Sequence, residues 1–117
     1  MTTTSNTPGK TTIALEVLVT ISKLTTLSVD GVSRMATGPS EVNRFFNRGV
    51  SEGVKISVDD DVVYVDLYVI LKQNYNVRDV SHNIQSNVSR AIAEMVGMEV
   101  GKINVHVEDI EINHIDQ

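Results

Sequence analysis

Residues 54–71, VKISVDDDVVYVDLYVIL, decide the fold. Val54, Ile56 and Val58 alternate with Lys55 and Ser57, the period-2 pattern of a strand with one covered face. Asp59-Asp60-Asp61 then turns the chain. Val63, Val65, Leu67, Val69 and Leu71 keep a second apolar face for ten residues, while Val62, Tyr64, Asp66, Tyr68 and Ile70 occupy the other. This is a hairpin with a long central strand, whose second face is partly covered as well.

Working outward, the C-terminal side predicts a helix followed by a strand. Asn74-Tyr75-Asn76 opens the helix, and Val77, Val80, Ile84, Val88, Ala91/Ile92 and Met95 recur at spacings of three and four. Gly97 is its C′ residue, and Arg78, Asp79, Asn83, Gln85, Asn87, Arg90 and Glu94 form its wet side. Ile103, Val105 and Val107 make the last strand, continued by Ile110 and Ile112. Its alternation slips at Glu108-Asp109, which reads as a bulge.

On the N-terminal side, Lys10–Ala14 suggests a short strand. Leu15, Leu18, Ile21, Leu24 and Leu27, widened by Val17 and Val19, suggest a well-buried helix to about Ser28. Val29-Asp30-Gly31-Val32 ends it, and Ser33–Met35 continues as a strand. Thr37-Gly38-Pro39-Ser40 is a break, after which Val42, Phe45 and Phe46 space like one or two helical turns capped by Ser40. The order β-α-β-β-β-α-β predicts an α+β two-layer sandwich, two helices on one face of a small mixed, mainly antiparallel sheet. Residues 1–9 read as a disordered tail, 10–112 as one domain and 113–117 as a polar tail.

Composition narrows the function. The chain has 117 residues, 41% apolar and 21% charged, which is ordinary globular usage. It has no cysteine, so disulfides, thiolate catalysis and Cys-based zinc sites are excluded, and a reducing cytoplasm is the natural setting. No apolar run is long enough to span a membrane or serve as a signal peptide. Ten Lys+Arg against fifteen Asp+Glu leave a net charge of −5, which disfavours nonspecific binding to nucleic acid or anionic lipid.

The motif search is mostly negative. Thr7-Pro8-Gly9-Lys10-Thr11-Thr12 ends like a phosphate-binding loop, but Thr4 stands where the first glycine must be, and Pro8 removes a backbone donor. Asp59-Asp60-Asp61 lacks the glycine and distal glutamate of a calcium loop, so it reads as a solvated turn. His82 falls on the wet side of the second helix, His106 on the polar face of the last strand, and His114 in the tail. None pairs at helical spacing, and no catalytic, cofactor-binding or metal-ligating set emerges. Asp66, mid-strand, reads as a surface charge if its face is open. The candidate partner-binding residues are Arg44, Phe45, Phe46 and Arg48, which combine aromatic and guanidinium groups in a strand connection, with Tyr64 and Tyr68 on the hairpin face.

Four stretches together resemble a known family. They are Gly9-Lys10-x-x-Ile13-Ala14 running into Glu16-Val17, Val29-Asp30-Gly31-Val32, Gly53-Val54-Lys55-Ile56, and the block from Val65 to Ile112. The chain is similar over about residues 9–112 to the bacterial alkaline-shock, or envelope stress response, protein family. That resemblance implies a small protein without established enzymatic activity, linked to cell-envelope homeostasis. Some members are held at the membrane by a separate membrane partner, and others are linked by gene neighbourhood to fatty-acid metabolism. It carries over no catalytic residue. Thr20, Ser22, Thr25 and Thr26 depart from the small, Ala-rich first helix of the family, and the Gly38–Gly49 connection is idiosyncratic.

The expectation is therefore a non-catalytic interaction or scaffold module in the cytoplasm, without a cofactor. A protein partner, in some members membrane-anchored, would recruit it, without direct membrane insertion; self-association is open. The alternatives are a single-stranded RNA-binding domain using Tyr64 and Tyr68, with nucleic acid disfavoured by the charge, and a regulator of a fatty-acid metabolism enzyme.

Overall fold

The computed structural model describes residues 13–37, 50–51 and 53–112. In chain order the elements are α1 (Leu15–Leu27), β1 (Val32–Met35), β2 (Val50–Ser51), β3 (Val54–Asp59), β4 (Val62–Lys72), α2 (Val77–Val96) and β5 (Glu99–Glu111). The strand expected over Lys10–Ala14 begins outside the described residues, and Ile13 and Ala14 pair with no strand. Both tails and the Val42–Phe46 turns also lie outside them.

β4 is the axis of a five-stranded mixed sheet. β5 runs parallel to it from Val62↔Glu99 to Lys72↔Glu111. Along the other edge β3 pairs antiparallel with the first half, from Asp59↔Val62 to Val54↔Leu67, and β1 pairs antiparallel with Val69–Leu71. β2 pairs antiparallel with the start of β3. β4, α2 and β5 form a βαβ unit, in which a helix must carry the chain back between parallel strands.

The hairpin turn takes two left-handed residues, Asp60 (φ 56°) and Asp61 (φ 66°), between the paired Asp59 and Val62. That is the pattern of a type I′ turn, in which Asp is among the few tolerated L-residues. Asn76 caps α2 by accepting from the Asp79 amide at 3.0 Å, and Gly97 closes it in a left-handed conformation (φ 70°). Two extra residues interrupt the β4–β5 register, Gly101 and Glu108, the second at the expected slip.

The core lies between the helices and one face of the sheet. Val63, Val65, Leu67, Val69 and Leu71 are fully buried there against Val80, Ile84, Val88 and Ile92 of α2 and Leu18 and Val19 of α1. Each such side chain contributes about 1.5–3 kcal/mol of burial. Both helices therefore cover one face, as the hairpin pattern requires.

Two helical faces differ from the sequence reading. In α1 the buried side is Leu18, Val19, Ser22 and Thr26, while Leu24 is 61% exposed and Val17 44%. Residues three apart rotate by 300°, so the run Leu15-Leu18-Ile21-Leu24-Leu27 drifts backward around the helix and cannot stay on one face. In α2 the buried stripe steps by four, from Val80 to Ile92, and Val96 continues it. Met95 is left 66% exposed.

Candidate interaction surface

The other face of the sheet is the one the helices leave uncovered. Period-2 alternation along β4 sends Val62, Tyr64, Asp66, Tyr68 and Ile70 there. The pairing register sets their neighbours: Tyr64 lies between Ser57 and Lys102, Asp66 between Lys55 and Asn104, and Tyr68 beside His106.

These neighbours form a hydrogen-bonded patch. Oδ1 of Asp66 accepts from Nδ2 of Asn104 at 3.1 Å and lies 3.0 Å from Nε2 of His106. The His106 ring stacks on Tyr68 with centroids 4.4 Å apart and planes 11° from parallel. Asp66 is thus tied down rather than a bare surface charge, its side chain 27% exposed and that of His106 41%. Partial burial pushes the Asp66 carboxyl up. The hydrogen bonds from His106 and Asn104, with the nearby His106 and Lys55 charges, outweigh it and hold the group below its ordinary range. Burial, with the Asp66 and Glu108 charges, raises the Tyr68 phenol.

An Asp–His pair is two-thirds of a nucleophilic triad, but among the described residues no hydroxyl is hydrogen-bonded to the imidazole. Nor does any group of three or more His, Asp or Glu among those residues converge as a metal site would. What the patch offers is a pair of flat rings fixed in place beside a carboxylate and an amide.

Of the sequence-predicted candidates, Tyr64 and Tyr68 fall on this open face four positions apart on β4. Arg44, Phe45, Phe46 and Arg48 lie outside the described residues, as does His114. His82 is exposed on α2 and His106 sits on the polar face of β5, as read from the alternation. His106, Asn104 and Asp66 were missed as one cluster. The parallel register that joins residues 40 positions apart was the only signal for it. The exposed apolar stripe of Val17 and Leu24 was also missed, because both were assigned to the core. No helix among the described residues is long and apolar enough to cross a membrane.

Fold and surface together define a two-layer α+β domain with a helix-covered core and an open, side-chain-organised sheet face. The chain belongs to the alkaline-shock (Asp-23) family, described by its cell envelope-related function, whose model matches residues 3–112. It is 30% identical over 109 residues to YqhY of Bacillus subtilis (strain 168), covering 90% of this chain and 79% of that protein. It is 31% identical over 103 residues to Spy1535 of Streptococcus pyogenes serotype M6, covering 87% and 79%. Among solved structures it resembles a methionine-to-leucine variant of the MamM CTD, with a TM-score of 0.50, 14% identity and coverage of 81% and 96%. A cysteine-to-serine variant gives 0.51, 13%, 83% and 98%. At that identity the likeness is one of fold.

Proposed function

We propose that this chain is a non-catalytic protein-interaction module with a cell envelope-related role. It acts on the cytoplasmic side and is recruited by a protein partner docking on the open sheet face. The observation that carries this reading is the Tyr68–His106 stack fixed by Asp66. Association costs side-chain ordering, and rings already held by packing and hydrogen bonds lose little of that freedom on binding. Tyrosine is also enriched among the residues that dominate interface energies. Family membership supplies the setting, and the lack of a spanning helix among the described residues makes a separate membrane protein the natural tether.

The test is a crosslinked pull-down of the tagged chain from its bacterial host, with membrane and soluble fractions analysed apart. The expected result is one enriched envelope protein, lost at least about tenfold with Tyr64→Ser/Tyr68→Ser while the thermal transition stays cooperative. An envelope partner retained in full by that variant removes the sheet face from the proposal. Recovery only of soluble metabolic enzymes removes the envelope role.

The stacked pair also favours a second reading, a platform for single-stranded RNA bases, since stacking on aromatic rings tolerates any sequence. Asp66 within the patch and the net charge of −5 oppose it. A gel shift with single-stranded RNA at low salt, lost with Tyr68→Ser, would establish it; no shift would end it.

A further inference from the structure

β5 is 13 residues long and pairs with β4 along one edge. Among the described residues no strand lies along its other edge. A free edge of this length offers a row of backbone donors and acceptors, which natural proteins usually cover or blunt. Here α2 runs beside it. His82, Gln85, Ser86 and Ser89, at i, i+3, i+4 and i+7, put one polar side of the helix against Val100–Ile103. Between them is an open cleft of about 390 Å³.

Three features give the cleft its chemistry. Gly101 is the extra residue of a bulge; a Cβ there would come within 2.6 Å of the Tyr64 ring and 2.7 Å of Val62 on the sheet face away from α2, so the strand carries no side chain at this point. Nε2 of Gln85 donates to the Ile103 carbonyl at 3.0 Å, so this carbonyl is served by a helix side chain instead of a strand. The lining carries Lys102 and His82 and no carboxylate, in a chain with fifteen acidic residues. Among the described residues Lys102 has no ion-pair partner.

We propose that this groove receives an extended, acidic peptide segment of a protein partner, which adds as a strand to β5 beside α2. Main-chain hydrogen bonds to the free edge give affinity, the incoming strand taking over the acceptor that Gln85 holds. Acidic side chains on the open-face side of the segment meet Lys102, and those alternating with them, on the helix side, lie against the hydroxyls of Ser86 and Ser89. Four residues of an added strand span about 13 Å, enough to run alongside Val100–Ile103. Lys102 pairs with Tyr64 and so stands on the open sheet face at the rim of the groove, but the backbone edge and the α2 wall lie apart from the Tyr68–His106 stack and do not depend on that stack binding anything.

A library of random octapeptides displayed against the full chain tests this. The strongest binder is then synthesised and titrated into isotope-labelled protein. The expected binder carries acidic residues at alternate positions and shifts the amides of Val100–Ile103 and the Gln85 side-chain amide. Its affinity falls about tenfold with Lys102→Glu, an exposed change that leaves the fold intact, and is lost when alternate peptide nitrogens are methylated. Tyr68→Ser leaves it unchanged, which separates this edge from the Tyr68–His106 stack. The proposal is overturned if no peptide is enriched, if binding survives N-methylation or Lys102→Glu, or if Tyr68→Ser abolishes it. Inorganic phosphate alone producing the same saturable shifts and displacing the peptide would make the cleft a small-anion site instead, and would equally overturn it.

Discussion

Ser22 is fully buried in α1 and its hydroxyl has no hydrogen-bond partner, although its carbonyl accepts from the Thr26 hydroxyl at 2.7 Å. An unmatched buried hydroxyl loses its water without compensation, and alanine fills nearly the same space with a better helix propensity. Ser22→Ala is therefore expected to stabilise the fold by about 1 kcal/mol, read as a higher urea midpoint at unchanged slope. A loss of stability would mean the hydroxyl is satisfied in solution. Asp66 behaves in the opposite way, because its oxygen is doubly engaged. Its folded-state pKa is depressed, so near pH 4 the unfolded chain binds more protons and stability rises with pH. The contribution is present at neutral pH, starts to fade below about pH 4 and is lost as pH falls through the folded value. Asp66→Asn should cost about 0.5–1 kcal/mol at pH 7. The gap to the parent should close as denaturation is repeated toward pH 2. A gap constant with pH would show that the carboxylate charge is not what matters.

Gly53 shows how elements are joined here. β1 and β3 share one edge of β4, and Tyr68 lies between their pairings: its amide donates to the Gly53 carbonyl at 2.8 Å, and its carbonyl accepts from the Ala36 amide at 2.8 Å. A Cβ on Gly53 would meet the backbone oxygens of Ala36 at 2.5 Å and Tyr68 at 2.8 Å, and φ is +81°. Neither oxygen can swing away as a side chain would. Gly53→Ala is expected to cost about 2–4 kcal/mol, a severe loss measurable by thermal or urea unfolding. The elements themselves were largely legible: the β4 faces because a period of 2 leaves no ambiguity over ten residues, and α2 because its cap, stripe and terminal glycine agree. α1 was legible as a helix but not in its orientation. Leucines at a spacing of three wind around the axis, and Ser22 and Thr26 occupy buried positions that hydrophobicity assigns to others. The Gly53 junction left no local trace, because it is set by strands from three parts of the chain.

At the scale of the molecule, the candidate site was only half legible. Tyr64 and Tyr68 follow from alternation within one strand, but their partners follow from the β4–β5 register, and that depends on the bulge at Gly101. Were Gly101 paired in register instead of bulged, Ile103, rather than Asn104, would stand beside Asp66, and the polar cluster would not form. Charge, by contrast, is a property of the sequence alone. With fifteen acidic and ten basic residues the chain carries −5, and anionic lipid headgroups repel a body of that sign. An amphipathic surface helix needs a basic polar face to overcome that, but Lys23 is the only basic residue of α1. The exposed Val17 and Leu24 stripe is too narrow to act as an anchor unaided. The purified chain should therefore remain unbound in flotation with vesicles rich in phosphatidylglycerol at about 0.1 M salt, and still do so at about 0.01 M, where attraction between opposite charges would be strongest. It should float only when the envelope partner is reconstituted in the same vesicles. Flotation with lipid alone, abolished by Leu24→Glu, would assign the α1 stripe to the membrane itself and leave a recruiting protein without a role.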